Sequence, residues 1–374
     1  MSTWVHDLDP FLVQFGESFG IRWYGLAYLT GFFAGAWLMT FIAKRGRGTL
    51  RPDLITDFIT YVVIGTMVGG RLGYALFYAP DLLTDFSMQF PFWGVLRVWE
   101  GGMASHGGMV GVILAAVVFA RRHEVDWRHL SDLTVLGGSI GIFLGRVANF
   151  INGELFGREA GPGLPWAVKF PGEVYLWLKS DMEARVSGAA PAMSKMTEAV
   201  KALGVDMASW ENALRTIRAP GVRGQMHGYI DQVLLAIQNG NEAVKNALAP
   251  ELLARHPSQL YEAVLEGLLL LVVCLWFWRK PRKPGVVGSL WLTIYAVVRI
   301  IAEHFRNPDA HIGYGLFGLT RGQWLSIAML FVSIGLLIWT SRRNVPAIAG
   351  WGPEAQKLRD SSPLPFQGLT KKAV

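Results

Sequence analysis

The segment QLYEAVLEGLLLLVVCLWFW, residues 259–278, decides the fold of this protein. A helix that crosses the hydrocarbon core of a bilayer needs about 20 mostly apolar residues, and this segment supplies that length. The basic cluster Arg279, Lys280, Arg282 and Lys283 follows it directly, as is typical of a cytoplasmic helix end. The segment therefore predicts a membrane-spanning helix.

Six further apolar runs have a similar length and composition. The third run in chain order is short, and glycines interrupt its start. Because glycine at membrane depth is tolerated where protein or a water-filled cavity surrounds it, we expect this start to line a cavity. Together the runs predict an all-α polytopic membrane protein with seven transmembrane helices. The six further runs lie at about 22–43, 54–78, 106–120, 131–151, 286–305 and 323–340.

The composition excludes several other classes of protein. Of the 374 residues, 52% are hydrophobic and 17% are charged, whereas ordinary globular domains carry about 25% charged residues. This apolar fraction is too high for a disordered chain, and a single cysteine, Cys274, excludes a disulfide framework. The net charge of +7 comes without an aromatic-interleaved basic stripe or a nucleic-acid motif, so we expect no nucleic-acid partner.

Basic residues indicate the orientation of the chain. They mark cytoplasmic helix ends, and every odd-numbered run is followed by a basic cluster. The loop at about 79–95 carries Asp81 and Asp85 but no Lys or Arg. We therefore expect the N-terminus outside and the C-terminus in the cytoplasm. The other clusters are Lys44, Arg45, Arg47 and Arg51 after the first run, Arg121, Arg122 and Arg128 after the third, and Arg342 and Arg343 after the seventh.

The predicted spans divide the chain into four parts. Residues 1–151 hold the first four membrane helices, and residues 259–343 hold the last three. Between them, residues 152–258 form a predicted extracytoplasmic insert, whose part from about 173 to 249 is typical of short amphipathic helices. Residues 344–374 form a predicted cytoplasmic tail.

The motif GRVANFINGELFGR, residues 145–158, places several polar side chains at the outer end of the fourth run. Arg146 and Asn149 are three residues apart and share a helix face, and Asn152 and Glu154 follow. Arginine suits a phosphate because its donors form a bidentate fork. The motif indicates either a phosphate head-group site or a capped helix end with a surface ion pair.

The sixth run carries a polar stripe at Tyr295, Arg299 and Glu303, each four residues after the last. Arg299 and Glu303 can form an i,i+4 pair. Ionisable residues at membrane depth are costly and often functional, but this pair also fits a structural clasp. Arg306 continues the polar end of the run.

His106 lies in the motif SHGG at the outer mouth of the third run. A neutral imidazole can accept a proton near pH 7. A lone histidine is also compatible with a hydrogen-bonded structural role, so the motif leaves both interpretations open.

Four more polar residues are weaker candidates. Tyr24 lies in RWYG, Arg71 in GGRLGY, and Glu262 and Glu266 lie in the fifth run. Each fits a helix–helix contact as well as a binding role.

The sequence lacks the motifs of several catalytic classes. GxSxG, HExxH and CxxC are absent. Cys274 lies deep in an apolar run, where a thiol is inert. We therefore expect no metal and no cofactor, and a nucleophile supplied by the substrate.

Six stretches, in order along the chain, resemble the bacterial phosphatidylglycerol–prolipoprotein diacylglyceryl transferase family. They cover all runs but the last, and GRxxNFINGE is long and specific. The part from about 173 to 249 exceeds what we expect for the family, so substrate access or partner contacts can differ there. The stretches are RWYGLAY (22–28), GGRLGYALFY (69–78), RVWEGGMASHGG (97–108), GRVANFINGELFGR (145–158), RHPSQLYEAVLEG (255–267) and YAVVRIIAEHFRNPDA (295–310).

The resemblance implies an activity in the bacterial cytoplasmic (inner) membrane. Members move the sn-1,2-diacylglyceryl group of phosphatidylglycerol to the lipobox cysteine thiol at the end of a preprolipoprotein signal peptide. The products are a thioether and glycerol 1-phosphate, in the first step of bacterial lipoprotein maturation. The implied partners are therefore phosphatidylglycerol, the signal peptide and membrane lipid.

The resemblance maps the family's key positions onto Tyr24, His106, Arg146, Asn149, Glu154, Gly157, Tyr295, Arg299 and Glu303. The chemistry of the reaction then gives an expected role for the candidate residues. Arg146 and Arg299 are expected to stabilise the phosphate leaving group. His106 is the expected base for the thiol, Glu303 is the second candidate, and catalysis without a dedicated protein base is the third possibility. We expect catalytic roles for these four residues. The expected substrate-binding residues are Tyr24, Arg71, Asn149, Asn152, Glu154, Gly157, Tyr295 and Arg306.

Two other classes of function remain to be weighed. Intramembrane Arg and Glu residues also suit a lipid or anion transporter, although the sequence has no clear internal repeat of the kind many transporters show. An inert membrane scaffold or receptor is the other alternative. A transferase would add mass to a lipobox peptide, and neither alternative would.

Overall fold

The protein is described here from a computed structural model that covers residues 3–15, 20–88, 90–98, 101–161, 163–183, 190–219, 221–307 and 318–361. The chain forms two compact units. Unit one comprises Met1–Tyr28, Ile142–Glu266 and Val298–Leu325. Unit two comprises Leu29–Gly141, Gly267–Val297 and Ser326–Val374.

Long helices make up most of the fold. The first four are α1 (Trp23–Arg45), α2 (Ile55–Phe77), α3 (Ser105–Arg122) and α4 (Trp127–Ile151). A later helix is continuous from Ser258 to Phe277. Its parts are α10 (Ser258–Glu262), a π-helical segment (Ala263–Leu269) and α11 (Leu270–Phe277), and it is followed by α12 (Val286–Glu303) and α13 (Arg321–Arg342).

Within the described residues, six helices are long and apolar enough to cross a membrane. This confirms an all-α polytopic membrane protein. The third predicted run does form a helix, α3, but α3 is not one of the six. Its 18 residues start with polar Ser105 and His106 and end with Arg121 and Arg122, so its apolar middle is short. The six helices are Trp23–Arg45, Pro52–Phe77, Trp127–Ile151, Ser258–Phe277, Val286–Glu303 and Gly322–Arg342.

In unit two, α2 and α3 pack with their backbones in close contact. A Cβ atom at Gly69 would lie 2.8 Å from the Cα of Gly111, and one at Gly73 would lie 2.8 Å from the Cα of Gly107. Small residues at such spacing allow membrane helices to approach closely. Gly107 and Gly111 therefore form a helix–helix contact, and the expectation that the start of the third run lines a cavity stays a prediction.

The core of unit two lies where α1 to α4 and α11 meet. Its buried side chains include Ile42, Phe58, Phe119, Leu133 and Trp278. Gly35 and Gly137 bring α1 and α4 close together, since a Cβ atom at Gly35 would lie 3.3 Å from the Cα of Gly137. Packing of this kind between lipid-compatible helices holds the unit together.

Unit one combines the C-terminal ends of α4 and α12 with the predicted insert. Two small sheets belong to it: β1 (Trp4–Val5), β4 (Val168–Lys169) and β5 (Ala254–Arg255) pair in the order β1-β4-β5, and β2 (Phe11–Gln14) pairs with β3 (Gly20–Arg22). β1 runs parallel to β4, and the other pairs are antiparallel.

The helices of the insert have a hydrophobic core of their own. Trp210, Met226, Ile230 and Val244 are fully buried in it, and Val5 of β1 joins them. The segment from about 173 to 249 is therefore a folded layer rather than an open loop. Its helices are α5 (Val174–Glu183), α6 (Thr197–Ala202), α7 (Met207–Arg215), α8 (Val222–Gln238) and α9 (Glu242–Leu248).

Candidate active site

The loop after α4 lies between two other segments of unit one, one at His256 and one at Phe305. The Gly157 N–H donates to the His256 carbonyl oxygen at 2.9 Å, and the Arg158 N–H donates to the Phe305 carbonyl oxygen at 2.9 Å. A Cβ atom at Gly157 would lie 2.6 Å from the His256 oxygen. Gly157 is thus required by close backbone approach, and it brings the 145–158 motif beside the end of α12.

Three of the predicted binding residues form one hydrogen-bonded group. The Tyr24 hydroxyl donates to the Glu154 carboxylate. Asn149 Nδ2 donates to the Tyr24 hydroxyl oxygen and, at 2.8 Å, to Glu154 Oε1. Gln259 Nε2 donates to the Glu154 backbone oxygen at 2.6 Å and fixes the loop from the other side.

The two predicted phosphate-binding arginines are held on the same pair of glutamates. Arg146 lies 2.9 Å from Glu262 and 3.6 Å from Glu266. Arg299 lies 2.9 Å from Glu266, 3.4 Å from Glu262 and 3.0 Å from Glu303. The two guanidinium groups therefore share two carboxylates, which fixes them with respect to each other. We call this group, together with Arg306, the arginine–glutamate network.

Arg306 and Thr320 complete the network. Arg306 lies 3.7 Å from Glu262, and the Thr320 hydroxyl donates to Glu303 Oε1 at 3.0 Å. A Cβ atom at Gly322 would lie 2.7 Å from Glu303 Oε1, so this glycine leaves room for the carboxylate. Three arginines and three glutamates balance in formal charge.

Burial makes this balance necessary. The exposed fractions are 1% for Glu262, 0% for Glu266 and 6% for Glu303. A buried charge is costly unless it is paired and hydrogen-bonded. Removing one partner would therefore leave an uncompensated charge, so the network has to be kept as a whole.

A π-helical segment carries the shared carboxylates. Glu262 ends α10 and Glu266 lies in the π-helical Ala263–Leu269. π-Helical turns occur mostly at functional sites, where they change the direction of side chains relative to an ordinary helix. Both glutamates could be suspected from the sequence, because two acidic residues in an apolar run are expensive, but their central position could not.

Two more predicted site residues, His106 and Tyr295, belong to unit two. His106 lies in the first turn of α3, and its side chain is exposed. Tyr295 stacks on Trp291, with ring centroids 5.0 Å apart. The roles predicted for them stay predictions.

Arg71 is buried in unit two and makes contacts that favour a structural role. Its guanidinium donates to five backbone carbonyl oxygens, at residues 94, 95, 97, 101 and 102. A guanidinium has five N–H donors, so these carbonyls engage its full capacity. Arg71 therefore holds the loop before α3, and its predicted substrate-binding role remains a prediction.

Within the described ranges, no group of three or more His, Cys, Asp or Glu side chains is arranged to hold a metal ion.

The sequence of this chain is similar to those of known proteins. The family profile described as prolipoprotein diacylglyceryl transferase matches residues 10–339. A phosphatidylglycerol–prolipoprotein diacylglyceryl transferase of Bdellovibrio bacteriovorus is 47% identical over 348 residues, which cover 93% of this chain and 97% of that protein. Proteins of the same name from Rhodospirillum centenum (35% identical, 88% of this chain and 91% of that protein) and Paraburkholderia phytofirmans (36%, 90% and 94%) also match. The chain therefore belongs to the prolipoprotein diacylglyceryl transferase family.

Proposed function

We propose that this protein transfers the sn-1,2-diacylglyceryl group of phosphatidylglycerol to the lipobox cysteine thiol of a preprolipoprotein. The observation that carries the proposal is the arginine–glutamate network, in which Arg146 and Arg299 are fixed on two shared carboxylates. Relatives that align over most of the chain carry the name of this activity. The comparisons do not favour the transporter alternative.

The chemistry requires a positive site. The thiolate sulfur forms a bond to a glycerol carbon, the carbon–oxygen bond to the phosphate breaks, and the electron pair leaves with glycerol 1-phosphate. Donors fixed where this negative charge develops lower the barrier. The ion pairs of Arg146 use both of its terminal nitrogens, and each of these nitrogens carries a second N–H that can meet a phosphate oxygen.

The hydrogen-bonded group around Glu154 suits the substrate head group. Its members offer a hydroxyl, an amide and a carboxylate within one small volume, which matches the hydroxyls and phosphate oxygens of phosphatidylglycerol. We assign Tyr24, Asn149, Glu154 and Asn152 to head-group binding. Arg306, which joins the network through Glu262, adds a third positive group for the phosphate.

We propose that His106 is the base that accepts the proton of the substrate thiol, with Glu303 as the second candidate. The exposed imidazole of His106 is accessible to a substrate. Glu303 is already paired with Arg299 and accepts from Thr320, contacts that favour a role in holding Arg299. The preference for His106 rests on that difference.

We further propose that α3 is a seventh membrane span, with the N-terminus and the insert outside the cytoplasmic membrane and the C-terminus in the cytoplasm. The glycine contacts between α2 and α3 support this, and so does the outer face of α3, where Val110, Ile113, Leu114 and Val118 are each more than half exposed. An apolar face of this kind suits lipid better than water.

The test is a transfer assay with purified protein in phosphatidylglycerol micelles. A synthetic lipobox peptide should gain the mass of one diacylglyceryl group at its cysteine, and glycerol 1-phosphate should appear in equal amount. A peptide with serine in place of the cysteine is the control and should gain nothing. A purified, folded protein that leaves the cysteine peptide unchanged would rule out the proposed function.

A further inference from the structure

A cavity of about 440 Å³ lies in unit one between the motif loop and the helices of the insert. Its volume is within the range of about 300–1,000 Å³ that is usual for pockets that bind small ligands. One wall is formed by residues 152–156, and another by α5 and α8. The insert thus contributes directly to a cavity that also contains residues of the proposed active site.

The wall at the motif loop is polar. Glu154 and Arg306 line it, and both belong to the groups described above. Asn152 lines this wall as well. The motif loop and Arg306 thus present a carboxylate, an amide and a guanidinium group along one side of the cavity.

The wall at the insert is apolar and fixed. Leu176 of α5 and Leu234 and Ile237 of α8 line it, and Ile237 is also part of the buried core of the insert. The Tyr175 hydroxyl donates to Asp231 at 2.5 Å and ties α5 to α8. Burial and this carboxylate raise the pKa of Tyr175, so its hydroxyl stays protonated and keeps the contact at neutral pH.

Backbone rather than side chain forms part of the cavity lining. Gly153 and Gly172 both line it, and a Cβ atom at Gly172 would lie 3.1 Å from the Gly153 carbonyl oxygen. Where glycines line a cavity, the main chain of a ligand can approach closely.

We infer that this cavity binds the residues that directly follow the acceptor cysteine of the preprolipoprotein. The inference rests on the proposed function. The cysteine lies at the end of an apolar signal peptide, so the chain before it lies among the membrane helices and the chain after it leaves toward the folded insert. An extended peptide in the cavity supplies side chains for the apolar wall and brings its main chain close to the glycines of the lining.

The chemistry of the lining favours the peptide over the lipid. The acyl chains of phosphatidylglycerol are apolar, but they belong among the membrane-spanning helices, whereas Leu176, Leu234 and Ile237 lie on α5 and α8, which are not among the six membrane-length helices of the described residues. The head-group glycerol is polar and gains little from an apolar wall. Assignment to the head group is therefore the competing outcome of the test.

The test compares two neighbouring substitutions on α8 with two peptides. Leu234→Trp fills the cavity, whereas Leu235→Trp adds the same side chain at a position that is 47% exposed and does not line it. One peptide ends at the acceptor cysteine as an amide, and the other continues for four residues. Transfer to the short peptide by the variants shows that the transferase activity itself is intact.

We expect wild-type protein to show a lower KM for the longer peptide. Leu234→Trp should raise that KM by about tenfold, the size of a lost apolar contact, and leave the KM values for the short peptide and for phosphatidylglycerol unchanged. Leu235→Trp should leave all three unchanged. Equal wild-type KM values for the two peptides, a higher KM for phosphatidylglycerol, or no effect of Leu234→Trp would each overturn the inference.

A second measurement does not depend on filling the cavity. A photoreactive benzophenone residue at Gln238, which lines the cavity, should crosslink to the longer peptide. The same residue at Glu242, an exposed position in α9, should not. Crosslinking to the short peptide alone, or at both positions equally, would place the chain after the cysteine elsewhere.

Discussion

Arg299→Lys keeps the positive charge of the network but removes its geometry. Arg299 contacts Glu266 and Glu262 through one terminal nitrogen and Glu303 through the other, at 2.9, 3.4 and 3.0 Å. A lysine ammonium is a single point on a flexible chain and cannot reach both sides at these distances. At least one of these charged contacts is therefore lost; the hydrogen bond among them, from Arg299 Nη1 to Glu266 Oε1 at 2.9 Å, is of a kind worth about 1.5–3 kcal/mol.

In the proposed mechanism, the same substitution also removes a hydrogen-bond donor from the leaving phosphate. Losing one such transition-state contact lowers kcat by about 10²–10³. The lost ion-pair contact and the lost contact to the phosphate come from one side chain, so their effects on the rate are not independent. We therefore expect kcat to fall by about 10²–10³ in total. Arg146→Lys should behave alike, since Arg146 also bridges two carboxylates.

The assay is the initial rate of transfer at saturating peptide and lipid. Arg128→Lys is the matched control, because Arg128 is a buried arginine that pairs with Asp126 through two nitrogens at 2.9 and 3.0 Å and lies in unit two outside the proposed site. Thermal unfolding in detergent checks that each variant is folded. The proposed role of Arg299 in binding the phosphate is refuted if a folded Arg299→Lys variant turns over within a few-fold of wild type. It is also refuted if Arg128→Lys loses as much activity.

Three further predictions concern the base, metals and topology. The transfer rate of His106→Gln should be low near neutral pH and recover toward pH about 8.5, where the substrate thiol ionises unaided. Recovery in Glu303→Gln instead would identify Glu303 as the base. A rate change that is uniform across pH in both variants would exclude both residues as the base. Activity should be unchanged by a strong chelator, because arginines meet the phosphate charge, and a loss that a divalent ion restores would contradict this. In a Cys274→Ala background, an impermeant thiol reagent should label Lys201→Cys from outside intact cells and Lys357→Cys only after lysis, both being exposed positions; the reverse pattern would overturn the proposed orientation.

Much of the fold could be predicted because membrane helices are recognisable in a sequence by their length and apolar composition. Six runs agree with the helices that can span a membrane. The third is ambiguous for a physical reason, since polar residues at both ends shorten its apolar part. The contact of Gly107 and Gly111 with α2 was not predictable, because sequence spacing alone cannot tell a packed glycine from one beside a cavity.

The site was predictable only where its contacts are local or its motif is specific. The i,i+4 pair of Arg299 and Glu303 was predicted from spacing and lies at 3.0 Å. The partners of Arg146 are on a helix more than 100 residues away, and no local pattern reveals such a contact. The π-helical turn that positions Glu266 also has no signature in the sequence.

The way Arg71 holds its loop has a consequence for divergence among related proteins. All five acceptors between residues 94 and 102 are carbonyl oxygens, a group that every amino acid provides. The guanidinium therefore recognises the path of the main chain and is indifferent to most side chains along it. Side chains of the loop that make no contact of their own can therefore change while its path is kept, whereas replacement of the single arginine would remove all five hydrogen bonds at once.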